Sequence, residues 1–146
     1  MVHNHMHIIG NVFVSRPPLS AERGEEFLRE LVARVGMTIL MDSRAIYCED
    51  LGNEGVTGLV ALSTSHASFH CWHKVPKPFL NFDLYSCCTF DPKTVLDLVD
   101  EYFGLRGGEY LIVDRNDGLR AGRTLSISKK KISCFSAISR WLRQLF

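Results

Sequence analysis

The sequence predicts an α+β domain, a two-layer sandwich in which a mainly antiparallel β-sheet carries helices packed on one face. Three observations predict it. Short apolar runs of strand length follow one another without the regular strand–helix alternation of a parallel sheet, and two segments repeat apolar residues at helical spacing behind capping residues. Several strands also alternate polar and apolar residues, so that only one face is core. The 146 residues, 46% apolar and 23% charged, suffice for one core and leave little for a second, so residues 1–146 are expected to form a single domain.

Taken in order, His5–Val14 holds Ile8, Ile9, Val12, Phe13 and Val14 and stops at Arg16-Pro17-Pro18, a strand closed by a turn. Ser20 suits an N-cap, and Phe27, Leu28, Leu31, Val32 and Val35 then recur at helical spacing until Gly36 ends the helix. Met37–Met41 and Arg44–Cys48 read as two short strands about Asp42-Ser43, followed by a polar loop through Gly52, Asn53 and Gly55. Val56–Leu62 is the next strand, and after the break at Ser63-Thr64-Ser65 another runs over His66–Trp72. Its Ala67, Phe69 and Cys71 share a core face, while His66, Ser68, His70 and Trp72 share a face fit for a site. Past the proline-bearing loop His73–Pro78, Leu80, Phe82 and Leu84 point inward and Asn81, Asp83, Tyr85 and Cys87 outward. Asp91-Pro92 starts a second helix with Val95, Leu98, Val99 and Tyr102 or Phe103 on its apolar stripe. Gly104, Gly107 and Gly108 read as a loop, Glu109–Asp114 as a strand, and Cys134–Phe146 as a terminal helix.

Composition removes several functions. A net charge of +1 builds no broad positive field, so nucleic acid is not an expected partner. Met1–His7 is polar and histidine-rich rather than basic then apolar, and no run reaches membrane-spanning length, so the expected location is the cytoplasm, with no membrane partner. Five cysteines, with Cys87 and Cys88 adjacent and no C-x-x-C, read as thiols. The histidines 3, 5, 7, 66, 70 and 73 lack the cysteine or carboxylate spacing of a metalloenzyme, so no metal is expected. Lys129-Lys-Lys131 reads as a solvated turn before a docked helix.

Chemistry concentrates in Gly55-Val-Thr-Gly-Leu-Val-Ala-Leu-Ser-Thr-Ser-His-Ala-Ser-Phe-His-Cys-Trp72 and Phe82-Asp-Leu-Tyr-Ser-Cys87. These segments resemble the core of the short prokaryotic S-adenosylmethionine decarboxylases. There a G-V-S-G strand leads to S-E-S-H, then H-T-W, then D-L-F-T-C before a D-P helix start, and each piece has a counterpart here in the same order. More loosely, the likeness extends from about His7 to Asp114.

The resemblance implies a proenzyme that cuts itself between Thr64 and Ser65 into chains 1–64 and 65–146 and turns Ser65 into a covalent pyruvoyl cofactor. It implies that His70 moves protons during processing and that Thr57 supplies the hydroxyl that the family carries as serine. Imidazole suits that work, with an unperturbed pKa of about 6.5. It further implies a substrate held as a Schiff base on the pyruvoyl group, with Cys87 protonating the carbon that loses carbon dioxide. S-adenosylmethionine is the implied substrate, decarboxylated on the way to spermidine and other polyamines, and the implied assembly is a homodimer or a dimer of dimers. Among the departures from the family, Thr64 replaces glutamate, Lys74 stands where H-T-W-P-E has its acidic residue, and Cys88 replaces glycine. They leave two alternatives open, a pyruvoyl-dependent decarboxylase of arginine or ornithine, and an uncleaved paralogue that binds or activates an active relative.

Overall fold

The computed structural model describes residues 5–128. The terminal helix expected over Cys134–Phe146, the basic run before it, and His3 lie outside the described residues. Among those described, eight strands form one antiparallel sheet, and two helices cover one of its faces. The elements are β1 (Met6–Val14), α1 (Ala21–Arg34), β2 (Ile39–Cys48), β3 (Gly55–Leu62), β4 (Ser65–Trp72), β5 (Phe79–Ser86), α2 (Pro92–Phe103), β6 (Leu105–Asp114), β7 (Arg120–Ala121) and β8 (Leu125–Ser128). Strand order is β2-β3-β4-β5-β1-β6-β7, with β8 also paired to β6. The α+β sandwich expected from the sequence is what the chain forms.

Both helices start as their sequences dictate. The Ser20 side chain accepts from the Arg23 amide, and Asp91 accepts from the Lys93 amide at 2.9 Å with Pro92 in the first turn. Phe27, Leu28, Leu31 and Val32 of α1 and Val95, Leu98, Val99 and Phe103 of α2 are buried against the sheet. The inward residues of the strands complete the core: Ile8 and Val12, Val56 and Val60, Ala67, Phe69 and Cys71, Leu80, Phe82 and Leu84. At its centre Phe27 meets Phe69 edge to face at 5.6 Å and Phe103 at 4.7 Å, contacts worth about 0.5–1.5 kcal/mol each beyond burial. Gly58 makes room for this cluster, because a Cβ there would lie 2.5 Å from the Phe69 ring.

Three expectations are corrected. The two strands predicted about Asp42-Ser43 are one strand, β2, whose register shifts between Ile39 and Arg44. Ser43 is buried there rather than in a turn, because Arg29 donates to its Oγ at 3.0 Å and that hydroxyl donates to the Glu25 carbonyl. Second, Gly107 and Gly108 are not loop but lie within β6, with φ of 153° and 126°. A Cβ on Gly108 would sit 2.4 Å from the Asn11 carbonyl oxygen, so glycine lets β6 run against β1. Third, β7 and β8 follow β6 where no strand is expected.

Candidate active site

The helix-free face of the sheet carries the polar residues that alternate with the core, and antiparallel pairing lines them up in rows across five strands. Thr57, His70, Asn81, Asn11 and Glu109 form one row, and Leu59, Ser68, Asp83, Ile9 and Leu111 the next. Toward the β3–β4 turn, His66, Tyr85 and His7 form a third. An open groove of about 850 Å³ lies over the first two rows, with Asp83 and Glu109 as its carboxylates. Its floor is partly apolar: Ile9 and Leu59 are 44% and 48% exposed, although they stand in the middle of a sheet.

Each site residue expected from the sequence falls within or beside this face, in two groups. Thr57 and His70 are directly opposite one another on β3 and β4, and Thr57 Oγ1 is hydrogen-bonded to His70 Nδ1. Burial pushes the His70 imidazole below its ordinary value, with the Asn53 backbone pulling the other way, so the ring is neutral at pH 7 and able to take a proton. Its Nε2 is buried with no hydrogen-bond partner.

The second group surrounds the break between β3 and β4. Leu62 pairs with Ser65, so Ser63 and Thr64 alone make the turn. No described non-glycine residue has a positive φ, so this is not one of the twist-matched turns that two-residue hairpins favour. Cys87, just past the end of β5, donates from Sγ to the Thr64 carbonyl oxygen at 3.0 Å. The Ser65 Oγ is buried and has no hydrogen-bond partner. Ser65 falls in the alternation with Ala67, Phe69 and Cys71, whereas His70 is on the opposite parity five residues along β4. At strand rise they stand roughly 16 Å apart along the chain. The structure thus joins Thr57 to His70 and Cys87 to the Thr64–Ser65 bond, without joining the two groups to each other.

Sequence reasoning placed His66, Ser68 and Asp83 on the outer face but missed what they form. The Asp83 carboxylate accepts from Ser68 and lies 3.3 Å from His7 Nε2 and 3.4 Å from His66 Nε2. Burial by itself would raise Asp83, but the hydrogen bonds from His7 and Ser68 and the neighbouring imidazoles outweigh it and hold the carboxyl below its ordinary value. Glu54 was also missed. Lys74 reaches within 3.9 Å of it, so a carboxylate from the preceding loop stands beside the basic residue that replaces the family's acidic one. The signal available was the acidic content of Glu49-Asp-Leu-Gly-Asn-Glu54.

Cys48, Cys71, Cys87 and Cys88 are free thiols, and burial pushes Cys71 up to about 12, which leaves it inert in the core. Among the described residues no three histidine, cysteine or carboxylate side chains converge on a metal position, and no helix is long and apolar enough to cross a membrane.

A two-layer α+β sandwich whose open sheet face presents a half-buried histidine, a groove holding two carboxylates and a cysteine on a hairpin carbonyl defines the class, a small enzyme domain. The family model for S-adenosylmethionine decarboxylase matches residues 6–116, and the chain belongs to that family of carboxy-lyases. No curated protein matches the chain. The family is generally pyruvoyl-dependent and points to S-adenosylmethionine as the small-molecule substrate.

Proposed function

We propose that the chain is a proenzyme that cuts itself at Ser65 and then decarboxylates S-adenosylmethionine, in the cytoplasm, on the way to polyamines such as spermidine. The observation that carries this reading is the Cys87 thiol on the Thr64 carbonyl oxygen, beside a serine hydroxyl that has no other partner. Attack by Ser65 Oγ on the Thr64 carbonyl carbon puts negative charge on the oxygen that Cys87 already faces, and a donor so placed stabilises it. Collapse breaks the peptide C–N bond and leaves Thr64 esterified to Ser65 with its amine free. Removal of the Ser65 α-proton then expels Thr64 as a carboxylate. Water replaces the nitrogen as ammonia, and a pyruvoyl group caps chain 65–146. The residues present fit that group: nothing holds Ser65 Oγ in a competing hydrogen bond, and Thr64 can leave from an exposed two-residue turn.

The pyruvoyl group supplies a carbonyl that accepts the electron pair released when carbon dioxide departs. The protein's part is to hold the substrate over the open face and to return a proton. Cys87, fixed beside the cut, is the proton donor to the substrate carbon. Asp83 and Glu109 give the groove the negative charge suited to a cationic sulfonium substrate, and Glu54 lies close enough to Lys74 to offset its charge.

The separation of Ser65 from His70 supports a homodimer in which two sheet faces pack together, so that Thr57 and His70 of one copy serve Ser65 of the other. The exposed Ile9, Leu59 and Ile46 on that face supply apolar area for such packing. The reading is tested by carbon dioxide release from carboxyl-labelled S-adenosylmethionine, arginine and ornithine. Release from the first alone is expected. Release only from arginine or ornithine overturns the substrate, and an intact chain inert on all three overturns the enzyme.

A further inference from the structure

The last inward position of β5 carries a hydroxyl where the earlier ones carry hydrocarbon. Leu80, Phe82 and Leu84 fill those positions, and Ser86 continues their alternation with 1% of its surface exposed; among the described residues only Ser43 is another polar side chain so buried. A buried hydroxyl without partners costs stability, and this one has two, both on a single residue. Ser86 Oγ accepts from the Cys88 amide at 2.9 Å and donates to the Cys88 carbonyl oxygen at 2.6 Å, so the hydroxyl is used as acceptor and donor at once.

The residue between them is Cys87. It lies past both ladders of β5, which pairs with β4 as far as Tyr85 and with β1 as far as Ser86. Strand pairing therefore fixes the chain before the thiol but not after it. Each peptide unit is a rigid plane, so the bond on the Cys88 N–H orients the whole Cys87–Cys88 unit, and the two dihedrals of Cys87 are set from either side. We infer that Ser86 is the positioning residue for Cys87: its hydroxyl holds the Cys88 backbone so that the thiol rests on the Thr64 carbonyl oxygen during cleavage and stays at the cut end for decarboxylation. The 3.0 Å contact of the thiol with Thr64 is the consequence. The clamp also accounts for Cys88 where the family has glycine. No described non-glycine residue has a positive φ and Cys88 is exposed, so this turn asks for none of glycine's freedom.

The inference rests on the proposed self-cleavage and decarboxylation, and its test separates the two. In Ser86→Ala, water can take the lost bonds at exposed Cys88, so the loss falls on the placement of the thiol. Cleavage should slow about fivefold, since a misplaced group costs rate without being removed. Ser86→Thr keeps the hydroxyl and is the residue of the family pattern, and it should stay within about twofold of wild type. If Ser86 acts through the thiol, Ser86→Ala adds no further slowing in a Cys87→Ala background. Equal slowing in both backgrounds, or a threonine variant as slow as the alanine one, indicates a structural role and overturns the inference. In turnover, Ser86→Ala should lower kcat about fivefold with KM unchanged, and a rise in KM alone overturns it. A second measurement needs no activity. In the uncut Ser65→Ala chain, Ser86→Ala should speed iodoacetamide alkylation of Cys87 about threefold relative to Cys48, because the thiol leaves the carbonyl that holds its proton. Unchanged alkylation overturns the clamp alone. A wild-type chain that neither cuts itself nor turns over overturns the proenzyme reading, and alkylation still decides the clamp.

Discussion

The Cys87 thiol reaches 3.0 Å from the Thr64 carbonyl oxygen, tying the end of β5 to the turn between β3 and β4. If that contact stabilises the charge of an attacked carbonyl, Cys87→Ala should slow appearance of the 1–64 and 65–146 fragments about tenfold. That is less than the loss for a strong oxyanion donor, because a thiol donates weakly. Cys87→Ser should stay within a few-fold of wild type. Time courses on denaturing gels give both rates, and equal cleavage in wild type and Cys87→Ala would refute the role.

His70 is held neutral by burial, with its value below the ordinary 6.5. A group that works as a neutral base is active above its own pKa and inactive below. The cleavage rate should therefore be flat above pH 6.5 and fall only in more acid solution. A rate still climbing well above pH 6.5 would show that another group limits the step.

The parity of Ser65 and His70 on β4 predicts complementation between chains. Ser65→Ala and His70→Ala chains should each remain intact alone. Coexpressed, the His70→Ala chain should be cut, because its serine meets the histidine of its partner, while the Ser65→Ala chain stays whole. Tagged chains of different mass would show this on one gel, and no cleavage in the mixture would argue against a shared site.

Asp83 makes a prediction about stability. Its folded value lies below the ordinary 3.8, so its contribution is complete above 3.8 and disappears as pH falls through the folded value. Asp83→Asn should cost about 1.5 kcal/mol at neutral pH, the scale of hydrogen bonds to a charged group, and the gap to wild type should close in stronger acid. Urea unfolding of both proteins at neutral pH and below pH 3.8 checks it, and a gap that persists in acid would contradict it.

Much of this architecture was legible because period and caps are local signals. Ser20, Asp91 and the alternation of Ala67, Phe69 and Cys71 each fix an element within a few residues of chain. The misses share a different cause. Asp42-Ser43 reads as a turn until Arg29 and Glu25 arrive from α1 to satisfy Ser43, and Gly107-Gly108 reads as a loop until β1 presses against it. β7 and β8 exist through pairing with β6, a partner the local sequence does not reveal. At the site, Ser65, His70, Cys87, Thr57 and Thr64 came from the ordered motifs. The separation of Ser65 from His70 followed only once β4 was seen to begin at Ser65 and run unbroken past His70.

Self-cleavage at a single main-chain bond is decided by the intact mass of the purified protein. Two fragments that meet between residues 64 and 65 are expected, with a carbonyl-reactive, amine-free start to the second that is absent from Ser65→Ala. A single full-length mass, unreactive toward hydrazines after long incubation, would contradict it.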